Sequence, residues 1–348
     1  MTKIIVVGSG IIGLSCALRL LIEGYRVAII TKNTQESTSW VAGGMLAPFS
    51  EGLKGYIFDF SYQSLKEFPQ FVKVAEETSS YKVSFWQEGI RRLVLEGEED
   101  LLSIAEAYTR MGYKLHLEEP TSDLSSKVKK VIHYEEEGWV DTEELMSALW
   151  KAAERLGAEL VIDHIREVRK KDGYVEEVVG IKGCYEAEFY VFATGAWTGQ
   201  LFDLPVFPIK GQALKVKGVK PSIVHYSSVS YLIPRERYLY IGATSERVGF
   251  LEGVSLEGVK RLSEGAIQLM PALKDSELIS TLYGFRPASP DELPIFETGN
   301  NYIVATGHYR NGILHGPITS KIVLEYLQGK KSPFLDIFSS ERFKHERG

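Results

Sequence analysis

The chain has 348 residues, of which 44% are hydrophobic and 25% are charged, a composition typical of a folded globular protein and not of a disordered one. Its formal net charge is −6 and its Lys and Arg residues are scattered along the sequence, so we expect no nucleic-acid partner. Cys16 and Cys184 are its two cysteines and have no neighbours at metal-ligand spacing, which predicts a reducing, cytoplasmic location with neither a disulfide framework nor a metal site.

The N-terminal residues combine Lys3 with an apolar stretch, as a signal peptide would. Glycines and Arg19 interrupt this stretch, however, and no small-residue cleavage site follows it. The sequence also lacks the run of about 20 uncharged apolar residues that a membrane-spanning helix needs. We therefore expect a folded N-terminus and no transmembrane segment.

The first 30 residues have the pattern of a βαβ unit. A β-branched run at 4–7, a helical pattern at 11–24 and an apolar run at 25–30 predict two parallel strands joined by a right-handed crossover. Between the first strand and the helix lies a G-x-G-x-x-G sequence formed by Gly8, Gly10 and Gly13. In this context it predicts a dinucleotide site, because such glycines allow a tight turn, close approach of a pyrophosphate and packing of the helix on the strand.

The helix that follows the glycines begins with Ile11 and Ile12. The first N–H groups of a helix have no partner inside it, and here they would face the phosphates. The second strand ends in Thr31 and Lys32 where an acidic residue usually binds the ribose hydroxyls. Thr31 can offer one neutral hydrogen bond, whereas Lys32 would favour a phosphate. The loop thus predicts a dinucleotide and leaves open which one, NADP included.

Later segments predict further helices and strands. We expect helices at 58–77, 142–156, 256–269 and 313–327, with Asp141 capping the second of them, and strands near 81–86, 90–95, 189–192 and 302–305. Residues 208–243 are almost entirely β in pattern. Because α/β segments alternate with β-rich ones, we predict two interleaved domains: one of residues 1–50, 140–205 and 285–335, the other of 51–139 and 206–284, followed by a tail at 336–348.

Several short segments carry a resemblance to a known family. In chain order they are STSWVAGGMLAP at 37–48, ATGAW at 193–197, PIKGQ at 208–212, YLIPR at 231–235, GAT at 242–244, FRP at 285–287, PDELP at 290–294 and GHYRNGIL at 307–314. Over about 330 residues the chain resembles the D-amino-acid oxidase family of flavoproteins. It is most similar to the branch that oxidises glycine for thiamine biosynthesis, and segments 44–46 and 307–314 are the most specific.

The resemblance implies non-covalent FAD and an α/β fold, with a Rossmann-like FAD-binding domain and an interleaved α+β substrate domain built on an antiparallel sheet. It implies that Gly43, Gly44 and Met45 lie beside the isoalloxazine ring, that Thr38 and Ser39 reach the pyrophosphate, and that Thr194, Gly195 and the backbone of Ile165 surround the adenine half. The start of the last helix would face the flavin pyrimidine edge, where a helix dipole stabilises negative charge. This loop comprises His308, Tyr309, Arg310, Asn311, Gly312, Ile313 and Leu314, and we expect His308 there to be a flavin neighbour and not a general base.

The resemblance also implies how a substrate is bound. Arg286 matches the arginine that holds the substrate carboxylate, a task that suits its planar guanidinium. Tyr231 matches a tyrosine that hydrogen-bonds the same carboxylate, and Arg310 matches a second arginine near the substrate. A histidine of the glycine-oxidising branch, two residues before the tyrosine, is Val229 here, a departure that concerns the amine end of the pocket.

The implied reaction is oxidative deamination of a small amino acid, glycine or a small D-amino acid, to a 2-oxo acid, ammonia and hydrogen peroxide. A dehydrogenase that acts on a D-amino acid, D-proline or sarcosine and reduces a quinone would share most of these residues. The preferred amino acid, the choice between oxygen and another acceptor, and the presence of a homo-oligomer stay open at this point.

A few conspicuous polar residues are not assigned to the site. His133, His164 and His225 are isolated in the sequence, and we expect them on surfaces or turns. The run of three glutamates at 135–137 predicts a solvated turn.

Overall fold

The computed structural model describes residues 2–347. The strands, in chain order, are β1 Lys3–Val7, β2 Arg26–Thr31, β3 Met45–Leu46, β4 Phe85–Trp86, β5 Ile90–Leu95, β6 Leu115–Glu118, β7 Val128–Tyr134, β8 Gly138–Val140, β9 Glu159–Ile162, β10 Ile165–Lys171, β11 Tyr174–Gly180, β12 Cys184–Tyr185, β13 Phe189–Phe192, β14 Phe207–Lys217, β15 Val224–Tyr226, β16 Tyr231–Pro234, β17 Leu239–Gly242, β18 Glu277–Ala288, β19 Ile295–Gly299 and β20 Tyr302–Thr306.

The helices are α1 Ile11–Ile22, α2 Thr38–Val41, α3 Tyr56–Ser79, α4 Asp100–Arg110, α5 Thr142–Arg155, α6 Thr198–Leu201, α7 Leu256–Leu269, α8 Gly312–Leu327 and α9 Pro333–Ile337. Short 3₁₀ helices lie at Gly195–Trp197, Pro271–Asp275, Tyr309–Asn311 and Ser340–Arg347. Within residues 2–347, no helix is both long enough and apolar enough to cross a membrane.

A mainly parallel sheet contains the N-terminal βαβ unit. In the described residues its strand order is β19-β20-β13-β1-β2-β9, with only β19 antiparallel to its neighbour. The central strands are apolar on both faces because both faces are covered. On one face Ile4 and Val6 of β1 share a core with α1, α5 and α8, and on the other Ile5 and Val7 share a core with β11 and residues 202–206.

The second large sheet is mainly antiparallel. Among the described residues its order is β18-β14-β17-β16-β15-β5-β7-β6, with a parallel pair where β15 meets β5. One face carries Tyr226, Tyr231 and Tyr240. The other carries apolar side chains such as Leu232, which form a core with α7. The two faces differ because successive strand residues point to opposite sides.

Local signals predicted the best-defined elements well. The Asp141 side chain accepts the N–H of Glu144 at 3.1 Å and caps α5, as expected. The strand expected near 81–86 is shorter than predicted, because α3 continues to Ser79 and the pairing with β8 begins only at Phe85. The proposed division into two domains stays a prediction, and β18 runs across its boundary at 284/285.

Candidate active site

A cavity of about 880 Å³ lies between the two large sheets. Its wall includes the glycine loop after β1, the end of β2, residues 37–45, parts of β14, β16 and β18, and the start of α8. A crevice at the carboxyl ends of parallel strands is where α/β proteins bind their ligands. The cavity is therefore the candidate active site.

Most residues predicted to bind a cofactor line this cavity. They are Gly8, Gly10, Ile11, Ile12, Thr31, Lys32, Thr38, Ser39, Gly43, Gly44, Met45, Ile165, Thr194, Gly195, His308, Tyr309, Arg310, Asn311, Gly312 and Ile313. Gly13 instead lies beneath the loop, where a Cβ would be 2.0 Å from the carbonyl oxygen of Gly8. Leu314 is fully buried in the core on the helical side of the parallel sheet, so its side chain lies behind the cavity wall and not on it.

The glycine loop has no room for a side chain at its first glycine. Gly8 has a φ of +108°, and a Cβ there would lie 2.3 Å from the carbonyl oxygen of Ala193. Helix α1 starts at this loop with no side-chain cap and no acidic residue in its first turn. The first N–H groups of a helix have no partner inside it, so this end of the cavity suits an anionic group such as a pyrophosphate.

A second helix N-terminus meets the same cavity. Helix α8 begins after Asn311, also without a side-chain cap or an acidic residue in its first turn. The preceding Tyr309 has a φ of +44°, a conformation that costs free energy in a non-glycine residue and is held by its surroundings. Two positive helix ends on one cavity wall fit a ligand with negative charge at two separated places.

Three hydroxyls predicted to serve the cofactor have protein partners. The Thr38 hydroxyl donates to the carbonyl of Phe285 at 2.8 Å and accepts its N–H at 3.0 Å. Ser39 Oγ accepts the N–H of Ile11 at 2.9 Å, and Thr31 Oγ1 donates to the carbonyl of Asn33 at 2.8 Å. These side chains thus shape the wall by holding backbone, and Thr31 has no donor left for a ribose oxygen.

Arg286 extends from β18 into the cavity. Its guanidinium lies over Gly211 of the neighbouring strand, where a Cβ would come within 2.5 Å of Nη2. Nη1 donates to the carbonyl of Thr244 at 2.9 Å. This bond uses one of five N–H donors, so the guanidinium can also hold a carboxylate with its planar fork.

Three tyrosines stack in a row on the face of the antiparallel sheet that faces the cavity. The ring centroids of Tyr226 and Tyr231 are 6.2 Å apart and those of Tyr231 and Tyr240 are 6.3 Å apart, with nearly parallel planes. Burial raises the pKa of each of the three phenols. The Arg286 guanidinium acts in the opposite direction on the pKa of Tyr231, but Tyr231 stays a neutral hydrogen-bond donor beside Arg286.

Arg310 forms an ion pair that the sequence did not reveal. Its Nε lies 2.9 Å from Glu51 Oε2, and its Nη2 lies 3.2 Å from Glu51 Oε1 and 3.1 Å from the Tyr226 hydroxyl. Although burial opposes the charge, Glu51 raises the pKa of Arg310. Arg286 has no such ion pair with a described residue. Of the two arginines predicted to contact the substrate, only Arg286 is therefore without a carboxylate partner among the described residues.

His308 contributes backbone and not a base. Its ring is buried and Nε2 lies 3.0 Å from Thr319 Oγ1. Burial lowers the pKa of His308 to about 3. The imidazole is neutral and bound in the core, so it is not placed to act as a general base; its role as a neighbour of the cofactor stays a prediction.

Glu137 is fully buried, so the predicted solvated turn at 135–137 is wrong for this residue. Its Oε1 accepts the N–H groups of Phe49 at 2.6 Å and of Ser50 at 2.9 Å, and the Ser50 hydroxyl binds Oε2. These two residues immediately precede Glu51. Burial raises the pKa of Glu137 to about 8, although these hydrogen bonds act to lower it. Glu137 thus fixes the loop that carries the partner of Arg310.

The pKa of Glu137 predicts a pH-dependent stability. Because its pKa rises from 4.5 to about 8 on folding, the folded protein keeps a proton that the unfolded chain loses, and stability falls by up to about 1.4 kcal/mol per pH unit across this range. Glu137→Gln replaces the acid proton by an amide, so we expect it to abolish this slope and to be more stable than wild type at about pH 9. Urea unfolding at several pH values measures both effects.

A matched control for this experiment is Glu154→Gln on the exposed side of α5. It should leave the slope of stability against pH unchanged. A wild-type stability that stays constant or rises between about pH 5 and 8 would contradict the assignment of a proton to buried Glu137.

Comparison with known proteins finds relatives over nearly the whole chain. A family model described as FAD dependent oxidoreductase matches residues 3–326. The bifunctional protein ThiO/ThiG of Trichormus variabilis is 36% identical over 363 residues, which cover 99% of this chain and 55% of that protein. The chain thus spans about half the length of the bifunctional relatives that it matches.

Other relatives are similar in length to this chain. The glycine oxidase of Geobacillus kaustophilus is 29% identical, and the match covers 94% of this chain and 93% of that enzyme. The crystal structure of glycine oxidase from that organism gives a TM-score of 0.90 at 28% identity, covering 97% of this chain and 98% of that one. The crystal structure of glycine oxidase from Bacillus cereus gives 0.88 at 28% identity, covering 96% and 97%. The predicted fold class is confirmed by these similarities.

Proposed function

Because the chain belongs to the FAD dependent oxidoreductase family, we propose that it binds FAD in the cavity between α1 and α8 and oxidises a small amino acid there. The pyrophosphate would lie at the glycine loop, where the positive N-terminal end of α1 meets the cavity. The flavin would lie between Gly43–Met45 and the start of α8. The uncapped N-terminus of α8 favours negative charge on the flavin side of the site.

Bound FAD supplies the two-electron acceptor for a hydride from the substrate α-carbon. The residues of the chain position the substrate for this transfer. Arg286 would hold the carboxylate, and the neutral Tyr231 hydroxyl would donate to the same group. No strong base is needed for such a reaction, so correct placement provides most of the rate enhancement.

The observation that carries this proposal is the uncompensated charge of Arg286 at the cavity wall. Of Arg286 and Arg310, only Arg286 is free to bind a substrate carboxylate, since Glu51 already neutralises Arg310. Burial in the cavity favours the neutral form of an amine, which is the form that can be oxidised. The relatives called glycine oxidase support glycine as the substrate, with glyoxylate, ammonia and hydrogen peroxide as products and oxygen as the acceptor.

The test is a substrate panel on the purified protein. We expect a yellow protein that bleaches with glycine under nitrogen and recovers its colour in air. Oxygen uptake on glycine, sarcosine, D-alanine and D-proline should exceed that on larger amino acids, with one peroxide formed per oxygen consumed. Turnover that requires an artificial acceptor would show that the protein is a dehydrogenase and not an oxidase. A colourless protein that binds no FAD would contradict the whole proposal.

The Glu51–Arg310 pair predicts a change in specificity. Glu51→Gln removes the carboxylate and leaves both Arg286 and Arg310 without a carboxylate partner. The catalytic efficiency with a substrate that has two carboxylates should then rise. We expect the ratio of kcat/KM for D-aspartate to that for glycine to increase about tenfold, which corresponds to about 1.4 kcal/mol. Steady-state oxygen consumption on both substrates measures the ratio.

A control for Glu51→Gln is Glu252→Gln, which removes another carboxylate of the cavity wall that is not paired with Arg310. Its ratio should stay near the wild-type value. Equal ratios in Glu51→Gln and wild type would mean that Arg310 does not face the substrate.

Location, assembly and pathway stay predictions. Cys16 is buried, Cys184 is exposed and both are free thiols, which favours a reducing, cytoplasmic compartment. A role in supplying thiamine biosynthesis follows from the resemblance to the glycine-oxidising branch and would be tested by complementation of a thiamine auxotroph.

A further inference from the structure

A cluster of histidines and glutamates lies at the edge of the antiparallel sheet, away from the cavity. His116 of β6 and His133 of β7 are directly opposite each other in the strand register. Glu118 lies two residues after His116 and so on the same face of the strand. His133 is paired in register with Arg91, and Arg91 is paired with His225, so all three side chains are on one face of the sheet. Tyr226 follows His225 and therefore points to the other face, which carries the stacked tyrosines. The prediction that His133 is isolated is therefore wrong. The predicted surface or turn position of His225 is also wrong, because this residue is buried in β15.

The three side chains converge on one point. Glu118 Oε1 lies 2.9 Å from His116 Nε2 and 3.0 Å from His133 Nδ1. The three potential ligand atoms lie within 4.8 Å of one another. All three residues belong to paired β-strands, so little rearrangement of the backbone is needed to bring them together.

The outer nitrogen of each ring also faces an acceptor. His116 Nδ1 lies 3.2 Å from Glu135 Oε1, and His133 Nε2 lies 3.1 Å from the carbonyl oxygen of Glu88. A neutral imidazole has a single N–H, so it can satisfy only one of its two acceptors. Every acceptor around the two rings therefore has a partner in one of two arrangements. In the first, both rings are protonated and lie side by side. In the second, a cation takes the place of the two inner protons.

The second arrangement is the one found around metal ions in proteins. A metal-bound histidine commonly donates its other N–H to a carboxylate or to a backbone carbonyl, which fixes the tautomer and the ring orientation. Here the Glu135 carboxylate would accept the outer N–H of His116, and the Glu88 carbonyl would accept that of His133. The first arrangement places two positive rings, with centroids 4.8 Å apart, next to the guanidinium of Arg91, whose Nε is 2.8 Å from Glu118 Oε2.

We propose that His116, Glu118 and His133 form a binding site for a divalent transition-metal ion, with Zn²⁺ as the best match. Two imidazoles and one carboxylate are a zinc ligand set, and the exposed side of His116 leaves the fourth position to water. Zinc bonds of about 2.0–2.2 Å place the ligand atoms of a tetrahedral site about 3.3 Å apart. The two nitrogen–oxygen distances of 2.9 and 3.0 Å need to lengthen by only a few tenths of an ångström, and the two nitrogens lie within 4.8 Å of each other. The ion would cross-link β6 and β7 at the sheet edge.

Arg91 limits the strength of this site. It holds the second oxygen of Glu118 and brings a positive charge near the ion. The carboxylates of Glu118 and Glu135 offset that charge: Glu118 lies at the inner nitrogens of both histidines, and Glu135 lies at the outer nitrogen of His116. The site should therefore bind Zn²⁺ reversibly, and chelators should remove the ion without unfolding the protein.

Titration of untagged, chelator-treated, flavin-loaded protein with zinc chloride tests the proposal. We expect about one equivalent of Zn²⁺ to bind in calorimetry and to raise the midpoint of thermal unfolding. His116→Ala and His133→Ala should each weaken binding by about tenfold or more, and the double variant should show no stoichiometric binding. Glu119→Gln is the matched control, because the neighbouring carboxylate of Glu119 pairs with Lys130 instead, and its affinity should equal that of wild type.

Two results would overturn the metal site. One is the absence of stoichiometric Zn²⁺ binding by wild-type protein. The other is an affinity in the double variant equal to that of wild type. Circular dichroism and flavin content of each variant establish that it is folded, and the binding measurement does not depend on catalytic activity.

Discussion

Arg286→Leu is expected to reduce kcat/KM for glycine by a factor of about 30 to several thousand, corresponding to about 2–5 kcal/mol. The variant would bring a substrate carboxylate into a partly buried site without its counter-charge. The guanidinium lies over Gly211, is oriented by the Thr244 carbonyl and adjoins the Tyr231 hydroxyl. Most of the loss should be in KM, because the carboxylate is bound both before and during the reaction. Steady-state kinetics over a wide range of glycine concentration measure the loss.

Arg286→Lys is the informative companion to this variant. Lysine keeps the charge but offers no planar fork for two parallel hydrogen bonds, so its kcat/KM should fall between those of wild type and Arg286→Leu. FAD content should be normal in both variants, since the guanidinium lies on the antiparallel sheet and not at the glycine loop. Unchanged kinetics in Arg286→Leu would remove the observation on which the proposed function rests.

Gly8→Ala is expected to yield protein with little bound FAD and a free energy of unfolding lowered by about 2–4 kcal/mol. An alanine here would have both an unfavourable φ of +108° and a Cβ only 2.3 Å from the Ala193 oxygen. The backbone of the loop must move to relieve this contact. Such a movement displaces the start of α1, where the pyrophosphate would bind. The ratio of flavin absorbance to protein absorbance after purification measures the loss.

Gly24→Ala separates the two causes. Gly24 follows the same helix and has a φ of +86°, but a Cβ there would have no neighbour within 4 Å. We expect a loss of about 1 kcal/mol from backbone strain alone and a normal flavin content. If Gly8→Ala retains FAD as well as Gly24→Ala does, the close contact with Ala193 does not shape the cofactor site.

The sequence allowed accurate prediction of elements whose cause is local. The βαβ unit was predictable because glycines and apolar periodicity lie within 30 residues, and α5 because Asp141 and Glu144 are three residues apart. The family segments also indicated most of the cavity wall. These signals report which face of an element is buried or which turn it makes, and both depend on near neighbours in the chain.

Contacts between distant parts of the chain were not predictable in this way. Glu137 binds Ser50 across 87 residues, and Glu51 binds Arg310 across 259. A buried carboxylate and an exposed one look alike in a run of three glutamates, because burial depends on which loop packs above it. Likewise, His116 and His133 meet only through the register of two strands.

The hydroxyl of Thr38 links the two halves of the site, since it lies in the segment next to the glycine loop and holds both backbone groups of Phe285, the neighbour of Arg286. Anything that orders one side of this link orders the other as well. We therefore expect occupancy by FAD and affinity for a carboxylate to be thermodynamically coupled, and such coupling acts equally in both directions. A carboxylate that competes with the substrate should slow the release of flavin, and the flavin-free protein should be a poor receptor for amino acids.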